Sequence, residues 1–276
     1  MQRIGCHVSV AGGVFNAPSR AREFGCEVFQ MFTRSPQGGP APALTPDVVA
    51  RFKEEMDKHD QLACYVHTPF YINFASDNNA IRHGSIKIVR DELERSSLLG
   101  AKYVMTHLGS AKGMEPTAAL DRVAKGIGRV LDDYTGTAEL LLEISAGTGE
   151  IIGDTFEELA YIFKQSGAKP AVCIDSCHMF ASGYDIKTKE GFSKTMKVIA
   201  DTVGKDAIKL IHANDSKVDL GMRRDRHDHI GAGTIGLAGF EHLMEHFDLD
   251  FILETEHDKV KEDITTLKSI RTKLHE

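Results

Sequence analysis

His67, His107, Glu143, Asp175, His212 and Glu254 recur along the chain at intervals of 32 to 42 residues, each closing a short apolar run. Imidazole and carboxylate are the donors of hydrolytic metal sites, whereas structural zinc favours thiolates. Three more donors stand between them. His178 lies three residues beyond Asp175, and in Asp225-Arg226-His227 an extended backbone would turn the acid and the imidazole to one side. Taken singly, a histidine or acid at the end of a strand is most often a satisfied polar residue. Taken together, converging carboxylates without a cation would repel one another, and burying them unpaired is costly. Nine such donors exceed the four that one tetrahedral ion takes, so two or three metals are required if most of them bind.

Donors spaced this evenly need a scaffold that returns to the same place once per interval. Eight β-rich apolar runs do so: Ile4–Val10, Glu27–Phe32, Ala63–His67, Tyr103–His107, Leu140–Glu143, Ala171–Asp175, Ile208–His212 and Asp250–Glu254. Amphipathic stretches separate them at Asp47–His59, Ile86–Leu99, Ala118–Leu131, Phe156–Gln165, Phe192–Val203 and Phe240–Phe247, with Lys261–Leu274 closing the chain. Thr45-Pro46-Asp47 and Asp154-Thr155-Phe156-Glu157 supply helix-start signals. This alternation predicts an α/β fold, a (β/α)8 TIM barrel formed by residues 1–276 as one catalytic domain, with the donors at its C-terminal mouth. The Pro/Gly-rich segment Thr33–Ala43 and the polar segment Asn214–Gly236 follow strands two and seven, so both should flank the site.

Composition narrows the function classes. Hydrophobic residues at 42% and charged residues at 26% can build a core and argue against disorder. No apolar stretch is long enough for a membrane span and no leader is evident, which predicts a soluble, cytoplasmic protein. No hydrophobic seam stands out, which suggests a monomer. Cys6, Cys26, Cys64, Cys173 and Cys177 lack disulfide or C-x-x-C spacing and read as core residues of a reducing compartment, including the two beside Asp175. His229, two residues past His227, and His59, His83, His242, His246 and His257 read as surface or packing residues; His7 in the first strand reads as a group that orients a ligand or water. The net charge of −7 argues on its face against a nucleic-acid partner.

Ordered motifs reverse that last inference. Tyr65-Val66-His67-Thr68-Pro69, Thr106-His107-Leu108-Gly109-Ser110, Leu142-Glu143-Ile144-Ser145-Ala146-Gly147, the run Cys173 to Asp185, His212-Ala213-Asn214-Asp215-Ser216-Lys217 and Asp225-Arg226-His227 through Gly233 cover nearly the whole chain. Their succession resembles that of the endonuclease IV family, zinc-dependent endonucleases acting at abasic sites in DNA. The resemblance implies three Zn2+ ions, and the His and carboxylate donors are also compatible with Mn2+ at one site. Glu143 would bridge two of them, one completed by His67 and His107 and the other by Asp175, His212 and Glu254; the third would take His178, Asp225 and His227. It further implies hydrolysis of the phosphodiester 5′ of an abasic site, with Glu143 positioning or deprotonating the attacking water, and trimming of blocked 3′ ends.

Three divalent ions against the four carboxylates Glu143, Asp175, Asp225 and Glu254 leave the loaded centre cationic, which would draw a phosphate despite the acidic chain. Arg34, Lys217, Arg223, Arg224 and Arg226 are candidates to hold the flanking backbone of double-stranded DNA, and Phe70 and Tyr71 are further candidates for DNA contact. The chain departs from the family at these outer positions. Ser35-Pro36-Gln37-Gly38-Gly39-Pro40 lacks the arginine and aromatic residue that relatives carry after strand two, Phe70 stands where tyrosine is frequent, and Thr255-Glu256-His257 lacks the expected Pro or apolar residue. None of these changes touches a donor. The competing reading is a metal-dependent sugar isomerase or epimerase of the xylose isomerase-like barrel group, which shares the fold. His178 and the Asp225–His227 pair discriminate, since an isomerase has no use for a third metal.

Overall fold

The computed structural model describes residues 1–276. Eight parallel strands close into a barrel: β1 Ile4–His7, β2 Val28–Met31, β3 Cys64–His67, β4 Tyr103–Thr106, β5 Glu139–Glu143, β6 Ala171–Asp175, β7 Ile208–His212 and, after two short strands β8 Asp215–Ser216 and β9 His227–Asp228, β10 Phe251–Leu253. β10 pairs with both β7 and β1, which removes any free edge. The helices are α1 Ala17–Phe24, α2 Pro46–Lys58, α3 Asn79–Leu99, α4 Pro116–Leu131, α5 Phe156–Ser166, α6 Ser176–Ala181, α7 Lys189–Asp201, α8 Gly236–His246 and α9 Val260–Leu274. No helix is long and apolar enough to cross a membrane.

Successive strand side chains point to opposite faces, so each barrel strand serves two cores. Outward residues such as Val66, Val104, Leu142 and Ile174 pack with Phe52, Phe74, Phe156 and Phe240 into the layer between strands and helices. Inward residues Val28, Tyr65, Tyr103, Met105, Leu141, Ala171, Cys173, Leu210 and Ile252 fill the barrel itself. Two residues beyond the last inward core residue of each strand lies one polar side chain at the C-terminal mouth: Gln30, His67, His107, Glu143, Asp175, His212 and Glu254. In β1 the same parity runs from Gly5 to His7. Gly5 is required there because a Cβ would fall 1.6 Å from the carbonyl oxygen of Val28. At the opposite end, Arg3 donates to Asp250 through Nε at 2.8 Å and Nη2 at 2.5 Å, and the Tyr65 hydroxyl donates to the same carboxylate.

The expected elements are present with shifted ends. β4 and β10 stop one residue short of His107 and Glu254, which extend the strands' direction into the mouth. α3 starts seven residues earlier than the apolar periodicity indicates, because the Asn78 side chain accepts from the amides of Ala80 and Ile81 and caps a polar first turn. α2 and α5 begin behind Thr45 and Thr155, whose hydroxyls accept from Val48 and Glu158. α1 buries Ala17, Pro18 and Ala21 on one face but is only eight residues long and built on small apolar side chains, and the six-residue α6 is buried on all sides, so neither stands out in the sequence. In the long connection after β7, β8 and β9 pair antiparallel, and the Asp215 carboxylate accepts from the amides of Gly231, Gly233 and Ile235, fixing the return toward α8.

Candidate metal centre

The nine donors converge at the mouth of the barrel in three groups, within each of which the donor atoms lie within 4.8 Å of one another: His67, His107 and Glu143; Glu143, Asp175, His212 and Glu254; and His178, Asp225 and His227. Glu143 belongs to two of them. Its fully buried carboxylate faces His67 Nε2 at 2.9 Å and His107 Nε2 at 3.7 Å on one oxygen, and His212 Nδ1 at 3.1 Å on the other. The third group is assembled from separate elements. His178 stands on α6, which Asp175 starts by accepting from the His178 amide at 2.8 Å, while Asp225 and His227 arrive from the excursion after β7. His178 Nε2 lies 3.3 Å from Asp225 and His227 Nε2 lies 3.2 Å from it.

The donor chemistry fits metal ions. His67 Nδ1 donates to the Thr68 carbonyl at 2.6 Å and His178 Nδ1 to the Ile144 carbonyl at 3.0 Å. Each neutral ring is then left with a lone pair on Nε2, facing carboxylate oxygen in both cases. Two lone pairs cannot face each other at about 3 Å unless a cation or a proton lies between them. In the metal-free chain protons take that place: burial opposes the charged imidazole, but Asp175, Asp225 and Glu143 raise the pKa of His178 to about 10. Burial would likewise raise Glu143, yet His107, His212 and His67 hold it well below the ordinary carboxylate range. Asp225 is depressed against its own burial by His178 and His227. His107 keeps a buried Nδ1 without any partner. The Cys177 sulfur also stands within reach of Asp175 and His227, and burial pushes its thiol up to about 12, so the thiol is protonated in the metal-free chain. All five cysteines are buried and free.

A family described as xylose isomerase-like TIM barrel matches residues 18–271. A protein of Aquifex aeolicus named probable endonuclease 4 is 40% identical over 260 residues, covering 92% of each chain. The solved structure of endonuclease IV from Thermus thermophilus superposes with a TM-score of 0.85 at 32% identity over 99% of both chains. The chain belongs to the endonuclease IV family. A D-tagatose 3-epimerase-like protein shares the fold with a TM-score of 0.76, at 20% identity over 99% of this chain and 98% of its own.

Against the endonuclease IV pattern, the outer residues divide. A cleft of about 680 Å3 opens beside His107 and His178 with Phe70 and Tyr71 on one wall and Arg224, Asp225 and Arg226 on another. Phe70 is 65% exposed, an unusual surface for a phenyl ring, and its edge packs on Phe32 behind it. Lys217 is exposed in the same excursion, while Arg223 is tied to Asp154 and to the Gly147 carbonyl at 2.9 Å. Arg34 does not reach out to a partner. It is buried, paired with Glu92 and Asp91, and anchors the segment after β2 onto α3. Its Nε and Nη2 are committed to these two carboxylates, so the expected role of holding flanking DNA backbone would fall to Nη1 alone. His229 is likewise turned from the centre, donating from Nδ1 to Asp263 at 2.7 Å.

Two amide side chains escaped the sequence reading. Gln30 contacts Glu254, His212 and His7, and Asn214 donates to Asp175 at 2.7 Å while accepting from the Glu254 amide at 2.8 Å. The signal for Gln30 was a lone polar residue in the strand Val28-Phe29-Gln30-Met31, two positions after an inward valine.

Proposed function

We propose that the chain is a metal-dependent endonuclease that hydrolyses the phosphodiester 5′ of abasic sites in DNA, leaving a 3′-hydroxyl and a 5′-deoxyribose phosphate, with trimming of blocked 3′ ends as a second reaction of the same centre. The observation that carries this reading is the set of three donor groups, two of them joined by Glu143, beside an open cleft with a basic wall. Three zinc ions bound there would supply Lewis acidity and lower the pKa of a water at neutral pH.

The chain's own residues then have separable tasks. Glu143, buried and held anionic by its imidazole neighbours, accepts or orients the proton of the attacking water. Arg224 and Arg226 offer charge to the phosphates on either side of the scissile bond. Phe70 and Tyr71 present apolar surface to an extruded sugar that lacks a base, for which a cleft of about 680 Å3 is ample. The His178–Asp225–His227 group favours the nuclease over a sugar isomerase, which has no use for a third metal, whereas metal-assisted phosphodiester hydrolysis can place ions at both the attacking and the leaving oxygen.

The test is cleavage of a duplex carrying one synthetic abasic site, before and after chelation, with a metal count on the purified protein. A nick on the 5′ side that is lost on chelation, with close to three zinc ions per chain, is the expected result. Absence of a nick with one or two metals bound would transfer support to the sugar isomerase.

A further inference from the structure

The ring of side chains at the barrel mouth includes a member that no donor group uses. Gln30 is fully buried, yet every polar atom of its amide meets the centre. Nε2 donates to Glu254 Oε1 at 2.5 Å and to His7 Nδ1 at 3.0 Å, and Oε1 lies 2.8 Å from His212 Nε2. The chemistry of these partners fixes the direction of each bond. A carboxylate only accepts, so the amide end at Glu254 is the NH2 group, and the end at His212 is the carbonyl. A carbonyl also only accepts, so His212 Nε2 carries the hydrogen. The lone pair of the neutral ring is thereby on Nδ1, which faces Glu143 Oε1 at 3.1 Å and Glu254 Oε2 at 3.3 Å.

We propose that Gln30 is a positioning residue for the Glu143–Asp175–His212–Glu254 group: it fixes His212 in the tautomer whose Nδ1 is the donor and, by holding Oε1 of Glu254, turns Oε2 toward the same ion. The inference rests on the reading that this group binds a metal. One amide spanning from β2 thus sets two donors from β7 and the end of β10, strands that a neighbouring backbone alone would leave free to rotate their side chains. An apolar residue of equal length would fill the space but leave the His212 N–H unsatisfied and Glu254 unheld, and outer partners of metal ligands typically contribute 10–100-fold in affinity.

Zinc affinity measured by chelator competition on the wild type and on Gln30→Met tests this, with melting of both proteins after metal removal as a control. One zinc equivalent should weaken about 10–100-fold in the variant while the others hold, and the metal-free proteins should melt alike. Equal affinities in the two proteins would overturn the proposal, and so would weakening of every equivalent together with a lower metal-free melting temperature. Nitrogen-resolved NMR of the zinc-loaded wild type gives a readout independent of the variant: His212 protonated on Nε2 supports the assignment, and protonation on Nδ1 removes it. Wild-type protein that takes up no zinc would sink the metal reading itself.

Discussion

His178 Nε2 and His227 Nε2 face each other at 3.5 Å across a junction between α6 and the excursion after β7, with the Asp225 carboxylate between them. The backbone already ties the two elements, with the amides of Gly221 and Arg223 donating to the carbonyls of Phe180 and Ala181 at 3.1 and 2.8 Å, and the three side chains so gathered need a shared cation or protons between them. His178→Ala should therefore remove one metal and slow abasic-site cleavage by about 100-fold or more, since an ion that stabilises transferring charge contributes several kcal/mol. Metal analysis beside single-turnover cleavage decides it. Full activity with three metals retained would strike His178 from the donor set.

Glu143→Gln preserves shape while removing the charge that faces His67, His107 and His212. Loss of a positioned general base lowers turnover by about 10²–10⁴-fold. DNA affinity, measured by anisotropy on an uncleaved abasic duplex, should remain, because the basic cleft wall is untouched. Unchanged turnover would exclude Glu143 from the water's proton transfer.

Much of this centre was legible because strands impose a period of two. Once Tyr65, Leu141 or Leu210 is recognised as an inward core residue, the side chain two positions later must enter the mouth, which is how His67, Glu143 and His212 announce themselves. The same rule applied to Val28 would have found Gln30, but an amide carries no metal-donor signature and passed as a strand residue. Arg34 shows the opposite case. A basic residue in a loop reads as solvent-facing, and nothing local reveals that Glu92, one turn along α3 from Arg95, closes on it from 58 residues away. Capping by Asn78 lies at a scale the sequence does show, and the apolar periodicity simply starts later than the cap.

The stiffness of the excursion after β7 depends on Asp215, which binds the amides of Gly231, Gly233 and Ile235 from a buried position. Asp215→Ala leaves those donors unpaired, a loss of roughly 2–4 kcal/mol for a buried, charge-assisted set. Limited proteolysis should then cut between residues 217 and 226, and the metal held by Asp225 and His227 should be the first lost on dilution into chelator. A variant resistant to protease with full metal content would show that the segment is held without Asp215, by the β8–β9 pairing and by the contacts of Arg223 with Asp154 and Gly147.

At the closed end of the barrel, Asp250 gives a pH-dependent element far from the metals. Burial would raise its pKa, but Arg3 and then Tyr65, both donating to it, depress the value below that of a free aspartate. A depressed carboxylate stabilises the fold above the unfolded-state pKa, and this contribution disappears as pH falls through the folded value. Metal-free wild type should therefore melt higher than metal-free Asp250→Asn at pH 7, and the gap should narrow steadily below about pH 4. A gap independent of pH would mean that the asparagine acts through packing alone.

Phe70 occupies the rim between His67 and the open cleft, its ring centroid 6.1 Å from that of His67. The segment Gln37-Gly38-Gly39 after β2 carries no aromatic side chain, and Arg34 pairs with Glu92 and Asp91, so the exposed aromatic pair Phe70-Tyr71 is the large apolar surface at this edge of the cleft. A ring stacked on a base or sugar contributes about 1–3 kcal/mol. Phe70→Ala should consequently weaken binding of an abasic duplex by roughly 5–150-fold, while zinc content and melting temperature stay at wild-type values, because a ring exposed to this degree holds little of the core. Tyr71→Ala in the same assay separates the two contacts. If neither substitution changes the affinity for an abasic duplex relative to an intact one, discrimination resides deeper, in the fit of the sugar against the metal groups.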